Sequence, residues 1–280
     1  MTPRPLLLDR ILQPGGLSVR FQPIVECHND GFRWRGVEGL VSGPPGSTVE
    51  SAEVLFDYVR RKRAEVAVDR ACTALVIEAA RCLPESLQVS VNVHAATLSS
   101  DPGFLAHLLR HLEAHRIAPS RVTVEIVEHA REWAGSVLLE VLQAMRDRGI
   151  RLALDDVGQG QSNFRMIVDC KPDYLKVDSY FVRGVQADPY RQAVLHSVAV
   201  LAARLGGRVV VEGIEEKAEL DTAMSLGVSL FQGYLFSPAV GPRELLEADR
   251  TEWSNPQVAA VGPGRDPMDE VRGCVEGTTT

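Results

Sequence analysis

Hydrophobic residues change their spacing several times along this chain. From Leu17 to Val25 (LSVRFQPIV) and from Trp34 to Val41 (WRGVEGLV) the pattern predicts two strands, with Glu26 to Arg33 and an Asn29-Asp30-Gly31 turn signal between them. A parallel crossover needs about a dozen residues or more, so this pair is expected to run antiparallel. Helical spacing follows over Val49 to Arg63 and Ala64 to Leu83, where Ala71, Leu75, Ala79 and Leu83 share a face. Strands are then expected at Gln88–Val93, Arg121–Val127, the run from Arg151, Asp173–Asp178, Arg208–Ile214 and Leu230–Tyr234. Helical stretches at Phe104–His115, Ser136–Arg148, Phe164–Val168, Pro189–Leu205 and Lys217–Leu226 separate them.

Of the eight strands, the last six alternate with helices and are rich in Val, Ile and Leu on both faces, as parallel strands covered by helices are. The expected fold class is α/β, a modified TIM-type (β/α)8 barrel with its first strand antiparallel. An open doubly wound sheet is the alternative. Residues 1–16 read as a lead segment, 17–240 as the barrel domain and 241–280 as a tail. Thr251 to Thr280 mixes Pro, Gly, Asp and Thr with few apolar residues, so that tail is expected to be largely disordered. The lead leaves no room for a sensor or cyclase domain within this sequence.

Each strand after the first carries a polar residue out of place near its C-terminal end: Glu38, Asn92, Glu125, Asp155 with Asp156, Lys176, Glu212 and Gln232. In a barrel such ends converge on the face where active sites lie. A lone carboxylate inside a run such as Val-Thr-Val-Glu-Ile-Val costs several kcal/mol unless it is paired or metal-bound. Five carboxylates at one barrel mouth would repel each other without cations. Oxygen donors alone, with no His or Cys among them, favour hard ions such as Mg²⁺ or Mn²⁺ over zinc. Two such ions bridged by Asp155 would clamp a phosphoryl group and ionise a water, with Lys176 orienting it. Adjacent Asp155 and Asp156 can share a site only if the chain turns there, as Gly158 and Gly160 allow. Asp and Gly also make ordinary solvated turns.

Composition narrows the partners. The 30 basic and 37 acidic residues give a formal charge of -7, which disfavours a DNA or RNA polymer held by bulk electrostatics. Five scattered cysteines without C-x-x-C spacing read as reduced thiols of a cytoplasmic protein. No run approaches the roughly 18 apolar residues of a membrane helix, so no membrane partner is expected. The run Arg60-Arg61-Lys62-Arg63 reads as solvated helix charge, and His94 as a strand-end histidine.

Taken together, Phe21-Gln22-Pro23-Ile24, Val37-Glu38-Gly39-Leu40-Val41, Val91-Asn92-Val93, Glu125-Ile126-Val127-Glu128, Leu154-Asp155-Asp156-Val157-Gly158-Gln159-Gly160, Leu175-Lys176-Val177-Asp178, Val211-Glu212-Gly213-Ile214-Glu215 and Gln232-Gly233-Tyr234-Leu235-Phe236 resemble the EAL domain family of bacterial cyclic di-GMP phosphodiesterases. The resemblance implies a Mg²⁺- or Mn²⁺-dependent hydrolase that opens cyclic di-GMP to linear pGpG. By position, Glu38, Asn92, Glu125 and Asp155 match its metal ligands, and Asp156 and Glu212 serve the second metal. Lys176, Glu212 and Glu38 match its catalytic residues. Gln22, Leu40 and Gln232 match substrate-side positions. Glu128 and Glu215 match anchors of the loops. A homodimer is compatible with the resemblance.

The departures are specific. The E-A-L triplet is Glu38-Gly39-Leu40, and where the family usually carries a phosphate-gripping Arg followed by Trp this chain has Ser42 and Gly43. The loop after the aspartates has lost the family's Phe, Thr and Tyr. Two further readings therefore stand beside an active phosphodiesterase: a degenerate domain that binds cyclic di-GMP or a protein without hydrolysis, and a metal-dependent hydrolase of another phosphodiester.

Overall fold

The computed structural model describes residues 6–28, 31–127, 136–158 and 164–248. In chain order the elements are α1 (Leu7–Leu12), β1 (Ser18–His28), β2 (Gly31–Ser42), α2 (Ala52–Lys62), α3 (Glu65–Ala80), β3 (Gln88–His94), α4 (Ala95–Ser100), α5 (Phe104–Ala114) and β4 (Val122–Val127). There follow α6 (Ser136–Asp147), β5 (Arg151–Leu154), α7 (Phe164–Cys170), β6 (Tyr174–Val177), α8 (Pro189–Arg204), β7 (Arg208–Val211), α9 (Lys217–Ser225), β8 (Leu230–Phe231) and α10 (Pro242–Ala248). The eight strands lie in sequence order and close into a barrel. Strand β1 runs antiparallel to β2 and to β8, whereas β3 with β4, and β5 through β8, pair parallel.

The chain divides into two compact units. One holds the described residues of 1–21, 37–151 and 239–247, the other those of 22–36, 152–238 and 248. In the first, β3 and β4 each bury one apolar face: Val89, Val91 and Val93 on β3, and Val122, Val124 and Ile126 on β4. Helices α3 and α5 add Val68, Val76, Ile77, Leu108 and Leu112 to the same core. Each fully buried side chain of this kind contributes about 1.5–3 kcal/mol relative to exposure. In the second unit Ile24, Ala153, Tyr174, Val210 and Leu230 form one buried cluster.

Local chemistry sets the helix ends. Ser51 caps α2 by accepting from the Val54 N–H, and Arg63 closes it with a left-handed φ of 52°. Asp188 caps α8 by accepting from the Tyr190 and Arg191 N–H groups, ahead of Pro189 in the first turn. The basic run at the end of α2 is surface charge: Arg60 and Arg61 pair with Asp57, and Lys62 lies over the Tyr58 ring.

The sequence pattern missed three short helices, although it expected a fourth, α7, over Phe164–Val168. Residues 7–12 of the lead segment are helical with Ile11 buried, α4 follows β3 without a break, and α10 occupies 242–248. Six or seven residues carry a helical period only weakly. The expected Asn29-Asp30 turn and residues 249–280 lie outside the described residues. Strands β7 and β8 end earlier than apolar spacing suggests, at Val211 and Phe231, so Glu212 and Gln232 stand just past their strands.

Two contacts of the first unit yield tests. A Cβ at Gly39 would come within 2.5 Å of Val76 Cγ1 on α3, so Gly39→Ala must displace that side chain. We expect it to destabilise the fold by about 1–3 kcal/mol. Adding Val76→Ala should cost less than the sum of the two single changes, read by denaturant unfolding in a double-mutant cycle. Arg70 donates twice to Asp101, at 2.6 and 2.7 Å, and this pairing holds the Asp101 carboxyl below its ordinary range. A depressed folded-state value stabilises the fold above the unfolded value of about 3.9 and is lost as pH falls through the folded value. The stability advantage of the native chain over Asp101→Asn should therefore persist at neutral pH and close on acidification below about pH 4.

Candidate active site

Two groups of polar side chains stand at the strand ends. The first lies on β2, β3 and β4. Glu38 and Glu125 are 5% and 1% exposed, carboxyl groups inside otherwise apolar strands. Asn92 and Glu125 are register partners on neighbouring parallel strands and so project on the same face. Asn92 donates from Nδ2 to Glu38 Oε1 at 2.7 Å. That hydrogen bond turns Asn92 Oδ1 the other way, where it is buried and accepts nothing from the described residues. A buried amide oxygen without a donor is costly. Beside two buried carboxylates, it is the donor type a hard cation takes.

The second group is built by β5, β6 and β7. Strand β5 stops at Leu154, and Asp156 takes a left-handed φ of 52°. That turn brings neighbouring Asp155 and Asp156 to one side, which an extended strand forbids. The sequence assigned the turn to glycines. The structure places it at Asp156 itself and at Gly158, φ 95°, whereas Gly160 lies outside the described residues. Gly158 packs so close to the Phe181 ring that a Cβ there would meet it at 2.8 Å. Asp155, Asp156 and Glu212 each present an oxygen, all within 4.8 Å of one another.

Lys176 holds this acidic group together. It projects from the middle of β6, 2% exposed, with Nζ 2.6 Å from Glu212 Oε1 and 3.5 Å from Asp155 Oδ1. Its backbone is fixed as well, since the Val157 N–H donates to the Lys176 carbonyl and the Glu212 N–H to that of Val177. Three mutually close carboxyl groups beside the Lys176 ammonium form a donor set that a divalent ion would suit. The donors of both groups are carboxylate and amide oxygens, so they fit Mg²⁺ or Mn²⁺ and lack the imidazole and thiolate that zinc prefers.

The glutamines form a third feature. Gln232 donates to Gln22 Oε1 at 3.0 Å, and Gln22 donates to the Ser237 carbonyl at 3.1 Å. Leu40 is half-buried two residues beyond Glu38. Glu215 accepts from Arg183 at 2.7 Å, which ties the loop after β7 to the segment after β6. Glu128 lies outside the described residues. His94 is a fixed group at the end of β3: Asp69 of α3 accepts from its backbone N–H at 2.9 Å and contacts its Nδ1 at 2.8 Å. Asp69 was not singled out from sequence, where a helical aspartate gives no sign that it reaches a strand end. Glu219 was also missed, although Glu216-Lys217-Ala218-Glu219 has capping-box spacing.

The probable cyclic di-GMP phosphodiesterase PdeG of Escherichia coli is 31% identical over 239 residues, 82% of this chain and 46% of PdeG. The chain therefore spans about half, or less, of the curated relatives it matches. The manganese and cyclic di-GMP complex of Klebsiella pneumoniae BlrP1 is 30% identical with a TM-score of 0.72, over 81% of this chain and 57% of that one. An EAL domain protein of Listeria monocytogenes is 22% identical and shares the fold with a TM-score of 0.76, over 89% of this chain and 98% of that one. The EAL domain model itself matches residues 7–239, and the chain belongs to that family.

Proposed function

We propose that this chain hydrolyses cyclic di-GMP to linear pGpG, using two divalent cations, Mg²⁺ or Mn²⁺. The observation that carries this reading is the Asp155, Asp156 and Glu212 carboxylate group gathered around buried Lys176. Support comes from relatives named for that activity and from the manganese and cyclic di-GMP complex of BlrP1. Glu38, Asn92 and Glu125 would hold one ion, and Asp155, Asp156 and Glu212 the other. When bound, such ions polarise phosphoryl oxygens and make a hydroxide available near neutral pH.

The remaining steps belong to the chain's own side chains. Lys176 is a fixed ammonium with three N–H donors, two of them facing Glu212 and Asp155. So held, this ammonium would orient the attacking water or stabilise charge on phosphate oxygens, with no reorganisation at the moment of reaction. Gln22 and Gln232 are held to each other and present a polar wall to the nucleotide, with Leu40 as an apolar contact. Glu128 and Glu215 anchor the loops. At Ser42 there is no cation to grip a substrate phosphate, so binding energy is lost mainly in KM. We place the protein in the cytoplasm as a homodimer, with thiols at Cys27, Cys72 and Cys82 that form no disulfide. Among the described residues no helix is long and apolar enough to cross a membrane.

The decisive experiment is incubation with cyclic di-GMP and Mn²⁺ or Mg²⁺, with and without chelator. The expected product is pGpG, lost on chelation. Lys176→Ala and Glu38→Ala are expected to lower kcat by about a hundredfold or more. Tight cyclic di-GMP binding with no pGpG at high enzyme concentration would establish the binding-only alternative that Ser42 motivates. Calorimetry should detect Mn²⁺ binding that Asp156→Asn weakens by about tenfold or more. Ser42→Arg should lower KM by roughly ten- to a hundredfold while changing kcat little, since a charge-assisted contact to phosphate is worth about 1.5–3 kcal/mol.

A further inference from the structure

Glu219, on the first turn of α9, is 4% exposed, and no cation is paired with it among the described residues. Its carboxylate instead accepts three backbone N–H groups, each at 3.1 Å. Oε2 takes those of Glu215 and Glu216, and Oε1 takes that of Gly184. The Glu216 N–H closes the capping box at the start of α9, and the Glu215 N–H comes from the residue before the cap. The third does not belong to that helix. Gly184 lies in the segment between β6 and α8, in a left-handed conformation with φ 72°. One buried carboxylate therefore ties together two segments that leave the barrel side by side.

Those segments begin at the two halves of the Lys176–Glu212 ion pair. Lys176 sits on β6 and Glu212 immediately follows β7, and the strands are in parallel register there, Lys176 beside Val210. Between Glu212 and Glu219 the chain is steered closely. Gly213 has φ 70°, and a Cβ on it would meet Ser179 Cβ at 2.4 Å. The Ile214 N–H donates to the Gln232 carbonyl, and Arg183 binds Glu215. Of these ties only Glu219 is buried, anionic and shared by both segments. Backbone N–H donors supply the stabilisation that a buried carboxylate otherwise lacks.

We propose that Glu219 is a positioning residue for the reaction: it sets the approach of Glu212 to Lys176, and through it the spacing of the second-ion ligands Asp156 and Glu212. This rests on the reading of Lys176 and Glu212 as parts of the hydrolytic site. Groups that orient metal ligands from behind typically affect metal affinity or activity by about 10–100-fold when lost. Glu219→Ala removes all three acceptors. Glu219→Gln keeps one amide oxygen for the capping box but presents N–H to N–H toward Gly184, so it loosens one of the two segments.

The test compares Mn²⁺ affinity by calorimetry, kcat and KM for pGpG formation, melting temperature, and the crystal structure of each metal-free variant. Glu219→Ala is expected to weaken Mn²⁺ binding and lower kcat by about tenfold or more, with KM within about threefold of the native value. Glu219→Gln is expected to show the same changes at about two- to fivefold, and it decides the matter if the alanine variant does not fold. Asp101→Asn, remote in role, is the control: it should lower the melting temperature and leave Mn²⁺ affinity unchanged. In metal-free crystals the 2.6 Å Lys176–Glu212 contact should open in both Glu219 variants. Native Mn²⁺ affinity and kcat with that contact intact would overturn the proposal, whatever the melting temperature does. Native protein that binds no Mn²⁺ and forms no pGpG would overturn the hydrolytic reading instead, and the crystallographic contact alone would then show whether Glu219 sets the pair.

Discussion

Electrostatic repulsion among carboxylates is the constraint that the rest of this structure answers. Asp155, Asp156 and Glu212 offer oxygens within 4.8 Å of each other, and the Lys176 ammonium contacts two of them. In water such a group would spread apart at little cost. Here the backbone forbids it, because each carboxylate leaves a strand end or a turn whose path is fixed by hydrogen bonds to its neighbour. Fixing the repulsion in place makes the group receptive to divalent ions, since folding has already met the cost of bringing the ligands together.

Steric limits on the backbone do most of that fixing. Asp156 accepts a left-handed φ, which Asp tolerates better than a branched residue would. Gly158 and Gly213 lie in the same region of φ, and each is pressed against a neighbour, Phe181 and Ser179, that a side chain would strike. Phe181 and Ser179 both lie just after β6, the strand that bears Lys176. One short segment thus braces the turn of Asp155-Asp156 on one side and the exit of Glu212 on the other. Small residues are required there because the two loops converge on it.

Much of the site was legible in sequence because a charged residue inside an apolar strand is conspicuous. Glu38, Glu125 and Lys176 stand out against Val, Ile and Leu, and a parallel barrel sends such positions to a common end of the strands. The barrel was legible for the same reason, from six apolar strands spaced by helical stretches. What stayed hidden depends on partners distant in sequence. Asp69 reads as a helix residue until α3 is laid against β3, where it accepts from His94. Glu219 reads as a capping residue until Gly184 is found beside it. The turn at Asp156 was assigned to glycines because propensity favours them, and the requirement to face both aspartates inward overrode it.

The departures from the family pattern also make sense only in three dimensions. At Gly39, Val76 occupies the space where the alanine methyl group of E-A-L would sit. Position 43 is similar: a Cβ there would lie 2.0 Å from the Val49 carbonyl oxygen, and the Gly43 N–H donates to Glu50. The segment after β2 therefore folds back onto its own residues, and Gly46 adds a contact to the Glu50 side chain at 2.7 Å. A Trp at position 43 could not follow this path, so Gly43 belongs with the whole segment, whose course also sets the surroundings of Ser42. In the proposed reaction, metal binding would draw on carboxylates fixed at strand ends by backbone hydrogen bonds, whereas a phosphate grip would draw on the segment after β2. The two could therefore vary independently in one chain.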